Sequence, residues 1–295
     1  MNLPPGGEEK GFMNIRRSVI KTKLQRNEPA LVTCLHLTDP AIFELTSRLG
    51  FDGIWMDLEH HGYSLETAAQ LMRAARVGGA DIVARPAKGE FSRMARLLEA
   101  GAQAIMYPRC ESAAEAAEVV KWAKFAPLGR RGFDGSGPDA AYCTMPFASY
   151  VRQANEQTLL IIQLEDPHAI DQAEAVAAVN GVDVIMFGPA DFSLLSGIPG
   201  QFEHPLLAEA TQKIAAAARS AGKHWACPAA SADHARRLIE MGARLLFHMA
   251  DIVLVKNGLE AIQRQFGPAG FSFNGHSAPH ESRQPYTPDN RRLES

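Results

Sequence analysis

The chain has 295 residues, and its 46% hydrophobic content is enough to fill one α/β domain of about 250 residues with short extensions. Its 30 basic and 33 acidic residues give a formal charge of -3, with no basic block or acidic tail, which argues against nucleic acid or an anionic membrane surface as partner. No apolar run approaches the roughly 18 residues of a membrane span, and Met1 to Arg17 holds no apolar signal core, so a soluble cytoplasmic protein with small-molecule partners is expected.

In chain order, residues 1–12 are polar and rich in Gly and Pro and read as a flexible tail. Residues 13–266 read as the folded domain. From about Pro29, short β-branched or apolar runs alternate with longer amphipathic stretches, the pattern of βα units on a parallel sheet. Eight strands are predicted: Ala30 to His36, Gly53 to Asp57, Asp81 to Arg85, Ala104 to Pro108, Leu159 to Leu164, Val182 to Phe187, Lys223 to Cys227 and Arg244 to His248. Helix signals follow them, such as Ser64 with Thr67 and the capping box of Ser112 with Glu115. Gly101, Gly181, Gly222 and Gly242 each stand just before a strand, a repeated helix–Gly–strand joint. The expected fold is a single (β/α)₈ TIM barrel, with a doubly wound open sheet as the alternative. The Gly- and Pro-rich segment 127–146 is long for a βα loop, and such loops are often functional. Residues 267–295 lack periodicity and read as a second flexible tail.

In a parallel barrel the strand ends meet at one face, where chemistry is carried out. Strand two ends in Asp57-Leu58-Glu59-His60-His61, strand three in Arg85, strand five in Gln163-Leu164-Glu165-Asp166, and strand six leads into Gly188-Pro189-Ala190-Asp191. Unpaired acids at the ends of apolar strands are costly unless a cation neutralises them. Glu165 and Asp191 are therefore candidate ligands for a hard divalent ion, Mg²⁺ or Mn²⁺ rather than zinc. The bland alternative is that such acids only cap the following helices. His60, directly after a strand and beside Glu59, is a candidate general base, with His61 as its rival and His248 as a further pocket residue. His168, His204, His224 and His234 read as surface or capping residues. No lysine ends a strand where a Schiff-base nucleophile would sit, and no Gly-rich phosphate loop is present. The four cysteines, Cys34, Cys110, Cys143 and Cys227, form no C-x-x-C pair, so neither a zinc knuckle nor a redox motif is expected.

The ordered set Gly50-Phe51-Asp52, Asp57-Leu58-Glu59-His60, Val83-Ala84-Arg85-Pro86, Leu97-Leu98-Glu99-Ala100-Gly101-Ala102, Arg131-Gly132, Gln163-Leu164-Glu165 and Gly188-Pro189-Ala190-Asp191-Phe192-Ser193 resembles the HpcH/HpaI family of class II, metal-dependent pyruvate aldolases. That family includes 2-dehydro-3-deoxyglucarate aldolase and 4-hydroxy-2-oxoheptanedioate aldolase, and the likeness spans roughly Leu24 to Phe266. The resemblance implies reversible cleavage of a 4-hydroxy-2-oxo acid to pyruvate and an aldehyde, with Mg²⁺ or Mn²⁺ (Co²⁺ is also compatible) and no organic cofactor. It further implies that His60 is the proton acceptor and Arg85 stabilises developing charge, with Asp57 in the same catalytic set. Glu165 and Asp191 would bind the metal, while Gln163 and the backbone of Ala190 and Asp191 would contact the pyruvate moiety. Glu99 stands where the family has an Asp that supports the histidine. It ends a helix on the far side of its own barrel, so a neighbouring subunit would supply it, in keeping with a homohexamer built as a trimer of dimers that exchange a terminal helix.

Departures cluster on the aldehyde side. Leu58 and Cys34 stand where the family commonly has Gly and Trp, and Arg109 and Met249 replace commonly apolar and glycine positions. With His61 and Gly132-Phe133-Asp134-Gly135, these imply a reshaped aldehyde pocket. Two other readings are a decarboxylase or related enolate chemistry of the macrophomate synthase type, and a non-catalytic oligomeric binding protein.

Overall fold

A computed structural model of the protein describes residues 14–273. The tail expected at 1–12, and that expected at 267–295 beyond residue 273, lie outside the described residues.

The chain enters through α1 (Val19–Gln25) and then runs β1 (Ala30–Leu35), α2 (Pro40–Arg48), β2 (Gly53–Asp57), α3 (Leu65–Ala75), β3 (Asp81–Arg85), α4 (Phe91–Ala100) and β4 (Ala104–Tyr107). Two helices, α5 (Ala113–Ala123) and α6 (Phe147–Gln157), precede β5 (Leu159–Leu164). The short α7 (Pro167–Asp171) and α8 (Ala173–Ala177) lead to β6 (Val184–Phe187), followed by α9 (Pro189–Leu195), α10 (Pro205–Ser220), β7 (His224–Pro228), α11 (Ala232–Glu240), β8 (Leu245–Ala250) and α12 (Asp251–Phe266). All eight strands pair in parallel, each with its sequence neighbour, and β1 closes on β8. The open-sheet alternative is excluded by that last pairing. Among the described residues no helix is long and apolar enough to cross a membrane.

Period-two alternation divides the strands into two faces. Val32, Val83, Ala104, Met106, Ile161, Val184, Met186, Ala226, Leu245 and Phe247 fill the barrel interior, while Ile54, Met56, Ile82, Ile105, Ile162, Ile185 and Leu246 meet the surrounding helices. The same alternation carries the inward rows upward into polar residues. Val32 is followed by Cys34 and His36, Trp55 by Asp57, Val83 by Arg85, and Ile161 by Gln163 and Glu165. The barrel's filling and its mouth are thus successive layers of one pattern.

The lower end is plugged by α1. Ile20 and Leu24 join the interior cluster, and a Cβ at Gly53 would stand 2.7 Å from Ile20 Cδ1, so any larger residue there would make the Ile20 side chain shift. Asp81 fixes the plug: its Oδ2 accepts from Ser18 Oγ at 2.6 Å and from the Ile20 N–H at 2.9 Å, and Arg16 lies 3.2 Å from Oδ1. The helix–Gly–strand joints take left-handed backbone, with φ of 121° at Gly101 and 99° at Gly242, which no Cβ-bearing residue adopts without strain.

Strand ends differ from expectation by one or two residues. β8 runs on to Ala250, and its pairing with β1 slips between Val32 and Cys34, so that one extra residue is accommodated on the β8 side. Met249 in this bulge has φ 63°, a left-handed backbone in which glycine would carry less strain. Gly267–Ala269, placed in the expected tail, forms a 3₁₀ turn, and Phe271 stacks edge-on against Phe266.

Because Asp81 is fully buried and holds three donors, Asp81→Ala is expected to lower the unfolding free energy by about 3 kcal/mol. Denaturant titration checks this; an unchanged midpoint would show that the plug does not depend on Asp81.

Candidate active site

At the mouth, Arg85 is the central cation. Its Nε and Nη2 donate to Asp57 Oδ1 and Oδ2 at 2.9 and 2.8 Å, and its guanidinium lies 4.5 Å above the Trp55 ring. Nη1 donates to Gln163 Oε1 at 3.3 Å, and Gln163 Nε2 donates to Glu165 Oε2 at 2.7 Å. A continuous relay, Asp57–Arg85–Gln163–Glu165, therefore crosses the barrel mouth from β2 to β5. Glu59 joins its side, with Oε2 3.3 Å from Arg85 Nε and 3.6 Å from His60 Nε2. Burial opposes ionisation of Asp57, but the hydrogen bonds and charge of Arg85 outweigh it and hold the carboxyl below its ordinary range. Glu59 is pushed up by burial, which Arg85 only partly offsets.

Glu165 is 1% exposed and is held from both sides. Besides Gln163, it accepts the Arg109 N–H at 2.9 Å on Oε1, a donor aimed by the left-handed backbone of Arg109, φ 50°. A Cβ at Gly188 would fall 2.3 Å from Glu165 Oε2, so the turn into α9 leaves a cradle that only glycine keeps open. Burial, followed by the negative charge of Asp191, pushes the Glu165 carboxyl up to about 7, with Arg85 opposing. A buried carboxyl whose charged form is disfavoured by burial and by a second carboxylate, in a cradle with lone pairs to spare, fits a divalent oxygen-seeking cation. The capping alternative does not describe Glu165, nor does Asp191 serve as an N-cap: α9 starts from Gly188, and Asp191 is in its first turn. It does describe Asp166, whose Oδ1 accepts from the His168 N–H at 2.8 Å.

The structure gathers Asp57, Arg85, Gln163 and Glu165 directly, sets Asp191 beside Glu165 and exposes Ala190 at the start of α9. His60 lies on the loop after β2 with a largely exposed side chain. Glu99 lies elsewhere, near the end of α4, where the charges acting on it are Arg131, Asp139, Asp134 and Arg96. Arg131 in turn is bound by Asp139 at 2.9 Å and by Tyr150 Oη at 3.2 Å, so the 127–146 segment folds against Glu99's side of the barrel and not over its own mouth. His204 caps α10, as read from sequence, but His224 stands in β7. His248 reaches the Ala229 carbonyl at 2.6 Å through Nδ1.

One pocket residue escaped the sequence reading. His36, in the turn after β1, stacks on His61 with ring centroids 3.9 Å apart, and Cys34 Sγ lies 3.1 Å from its Nε2. Its backbone is pinned because the N–H groups of His36 and Leu37 both donate to buried Asp251 at 2.9 Å. The signal available was parity: His36 continues the inward row of Val32 and Cys34.

Raised titration of Glu165 has a signed consequence in the metal-free protein. The fold favours its protonated form, so this stabilising contribution is complete below pH 4.5 and is lost as pH rises through about 7. Metal-free wild type should therefore lose stability relative to Glu165→Gln across that window, and parallel stability–pH curves for the two proteins would contradict it.

Comparison with known proteins agrees with this geometry. Residues 31–251 match the family model described as HpcH/HpaI aldolase/citrate lyase. The chain is 32% identical to a hydroxypyruvate/pyruvate aldolase of Pseudomonas aeruginosa over 255 residues, covering 86% of this chain and 94% of that protein. It is 28% identical to a 4-hydroxy-2-oxo-heptane-1,7-dioate aldolase of Salmonella arizonae, covering 85% and 95%. The crystal structure of an HpcH/HpaI aldolase from Desulfitobacterium hafniense superposes with a TM-score of 0.81 at 30% identity, covering 86% and 98%. A closed parallel barrel with this mouth, matched over most of its length, places the chain in the HpcH/HpaI aldolase/citrate lyase family, among the carbon–carbon lyases.

Proposed function

We propose that the protein is a metal-dependent aldolase that cleaves a 4-hydroxy-2-oxo acid reversibly to pyruvate and an aldehyde. The observation that carries this reading is the buried Glu165, held by Gln163 and Arg109 beside Asp191, with the Asp57–Arg85 pair across the pocket. Glu165 and Asp191 would hold a divalent ion of the Mg²⁺ or Mn²⁺ type, with Co²⁺ also compatible, which when bound supplies Lewis-acid stabilisation of negative charge on the 2-oxo acid.

The chain's own residues supply the remainder. Gln163 is oriented by Arg85 and Glu165, and it and the N–H groups of Ala190 and Asp191 at the start of α9 are suited to hold the pyruvate half. Arg85, fixed by Asp57 before substrate arrives, faces developing negative charge without reorganising. His60, largely exposed on the loop after β2 with its Nε2 3.6 Å from Glu59 Oε2, would take the C4 hydroxyl proton as the C3–C4 bond breaks. Glu99 is too remote from this mouth to assist His60 of its own chain, so in this reading it acts on a neighbouring subunit's histidine.

A homo-oligomer is supported by α12. Of its residues only Asp251 is buried, while Ile252, Val253, Leu254, Val255, Leu259, Ile262 and Phe266 are exposed. Such an apolar stretch is characteristic of a subunit interface. The reading extends to a hexamer acting on small 2-oxo acids and aldehydes in the cytoplasm.

Metal binding, pyruvate release and light scattering test these statements. Glu165→Gln is expected to weaken Mg²⁺ or Mn²⁺ binding and to abolish pyruvate release from a panel of 4-hydroxy-2-oxo acids, and His60→Ala to lower kcat by about 10² or more while metal binding persists; loss of activity in His61→Ala but not in His60→Ala would exchange the two histidines. Light scattering should give a multiple of the monomer mass that Leu259→Glu reduces, and a monomeric wild type would remove the intersubunit role of Glu99.

A further inference from the structure

His36, Asp57 and His61 offer ligand atoms that all lie within 4.8 Å of one another. We propose that they form a second metal site, distinct from Glu165 and Asp191, that takes a borderline divalent cation of the Zn²⁺ class at the β1–β2 side of the mouth. Three features of the cluster carry the assignment.

The first is donor chemistry. Two imidazoles and one carboxylate, with the Cys34 thiol 3.1 Å from His36 Nε2, make a nitrogen-rich environment bordered by sulfur, which suits Zn²⁺ or Co²⁺ and is poorly matched to Mg²⁺. The second is geometry. Shifts of order one ångström bring donors at these separations to the bonds of roughly 2 Å that zinc requires, and His61, half-exposed on the loop after β2, is free to make them. His36 is already fixed through Asp251, which binds the backbone N–H groups of His36 and Leu37. Asp57 accepts from Arg85 Nε and the Glu59 N–H on Oδ1 at 2.9 and 3.1 Å and from Arg85 Nη2 on Oδ2 at 2.8 Å, so Oδ2 keeps a further lone pair for an ion.

The third is separation. Glu165 lies on the β5 side, and Arg85 and Gln163 stand between it and Asp57. The guanidinium between them keeps one ion from being shared, so the two sites should fill independently and with different preferences. The pairing of His36 with His61 depends on the β1–β2 register, in which Leu35 stands opposite Met56, and brings together two side chains 25 positions apart.

This inference does not rest on the lyase reading, and the experiment separates their failures. Metal-free full-length protein is titrated with Zn²⁺ by calorimetry and with Co²⁺ by visible absorption. Wild type and the Glu165→Gln/Asp191→Asn double variant should both bind Zn²⁺ and show the intense visible bands of low-coordinate Co²⁺. His36→Ala and His61→Ala should each lose those bands and weaken Zn²⁺ binding by at least about tenfold, the change that loss of even an outer partner of a metal ligand produces, while Mn²⁺ binding persists. Should His36→Ala fail to fold by circular dichroism, His61→Ala alone carries the comparison. Zn²⁺ binding that is unchanged in His61→Ala, or that disappears in the Glu165→Gln/Asp191→Asn variant, overturns the proposal.

Discussion

The bidentate pair between Asp57 and Arg85 is the constraint from which the mouth of this barrel is built. It joins adjacent strands at their carboxyl ends, where Asp57 and Arg85 are register partners. A guanidinium buried to this depth requires a partner, and Asp57 supplies one whose planar geometry sets both the position and the tilt of the cation. With the guanidinium fixed over Trp55, the Gln163 amide has one orientation in which its oxygen accepts from Arg85 and its nitrogen donates to Glu165. The order of the pocket runs from that pair outward, and Lys at position 85 would supply the charge without the fork.

The barrel was legible because short apolar runs alternate with longer amphipathic stretches along the chain, and the glycine joints punctuate the units. Strand boundaries erred where backbone geometry overrides composition, as at the β8 bulge around Met249. The pocket was legible in part, because polar residues at apolar strand ends have few structural uses, and Asp57, Arg85, Gln163 and Glu165 all belong to that group. Contacts that depend on how separate segments meet were not legible. His36 gave no sign of its partner because His61 reaches it only through strand register, and the neighbours of Glu99 come from a loop whose path no periodicity encodes.

The two sides of the mouth differ in how tightly they are specified. On the β5–β6 side, Glu165 is enclosed by fixed donors and a glycine cradle, and nearly any added atom collides. On the β1–β2 side, His36, His61 and His60 are partly or largely exposed. A rigid half that holds the invariant fragment and a looser half that meets the variable one is an economical way for one barrel to serve different reactants.

The crowding of carboxylates also has a kinetic meaning. Asp57, Glu59 and Glu165 crowd around the buried cation Arg85, with Asp191 acting on Glu165, so acids outnumber the guanidinium at the mouth. A 2-oxo acid is itself an anion, and in the proposed reading a divalent ion held by Glu165 and Asp191 would offset the charge that opposes its entry. In the proposed reading that charge pattern favours one sequence of arrival, cation first and keto acid second.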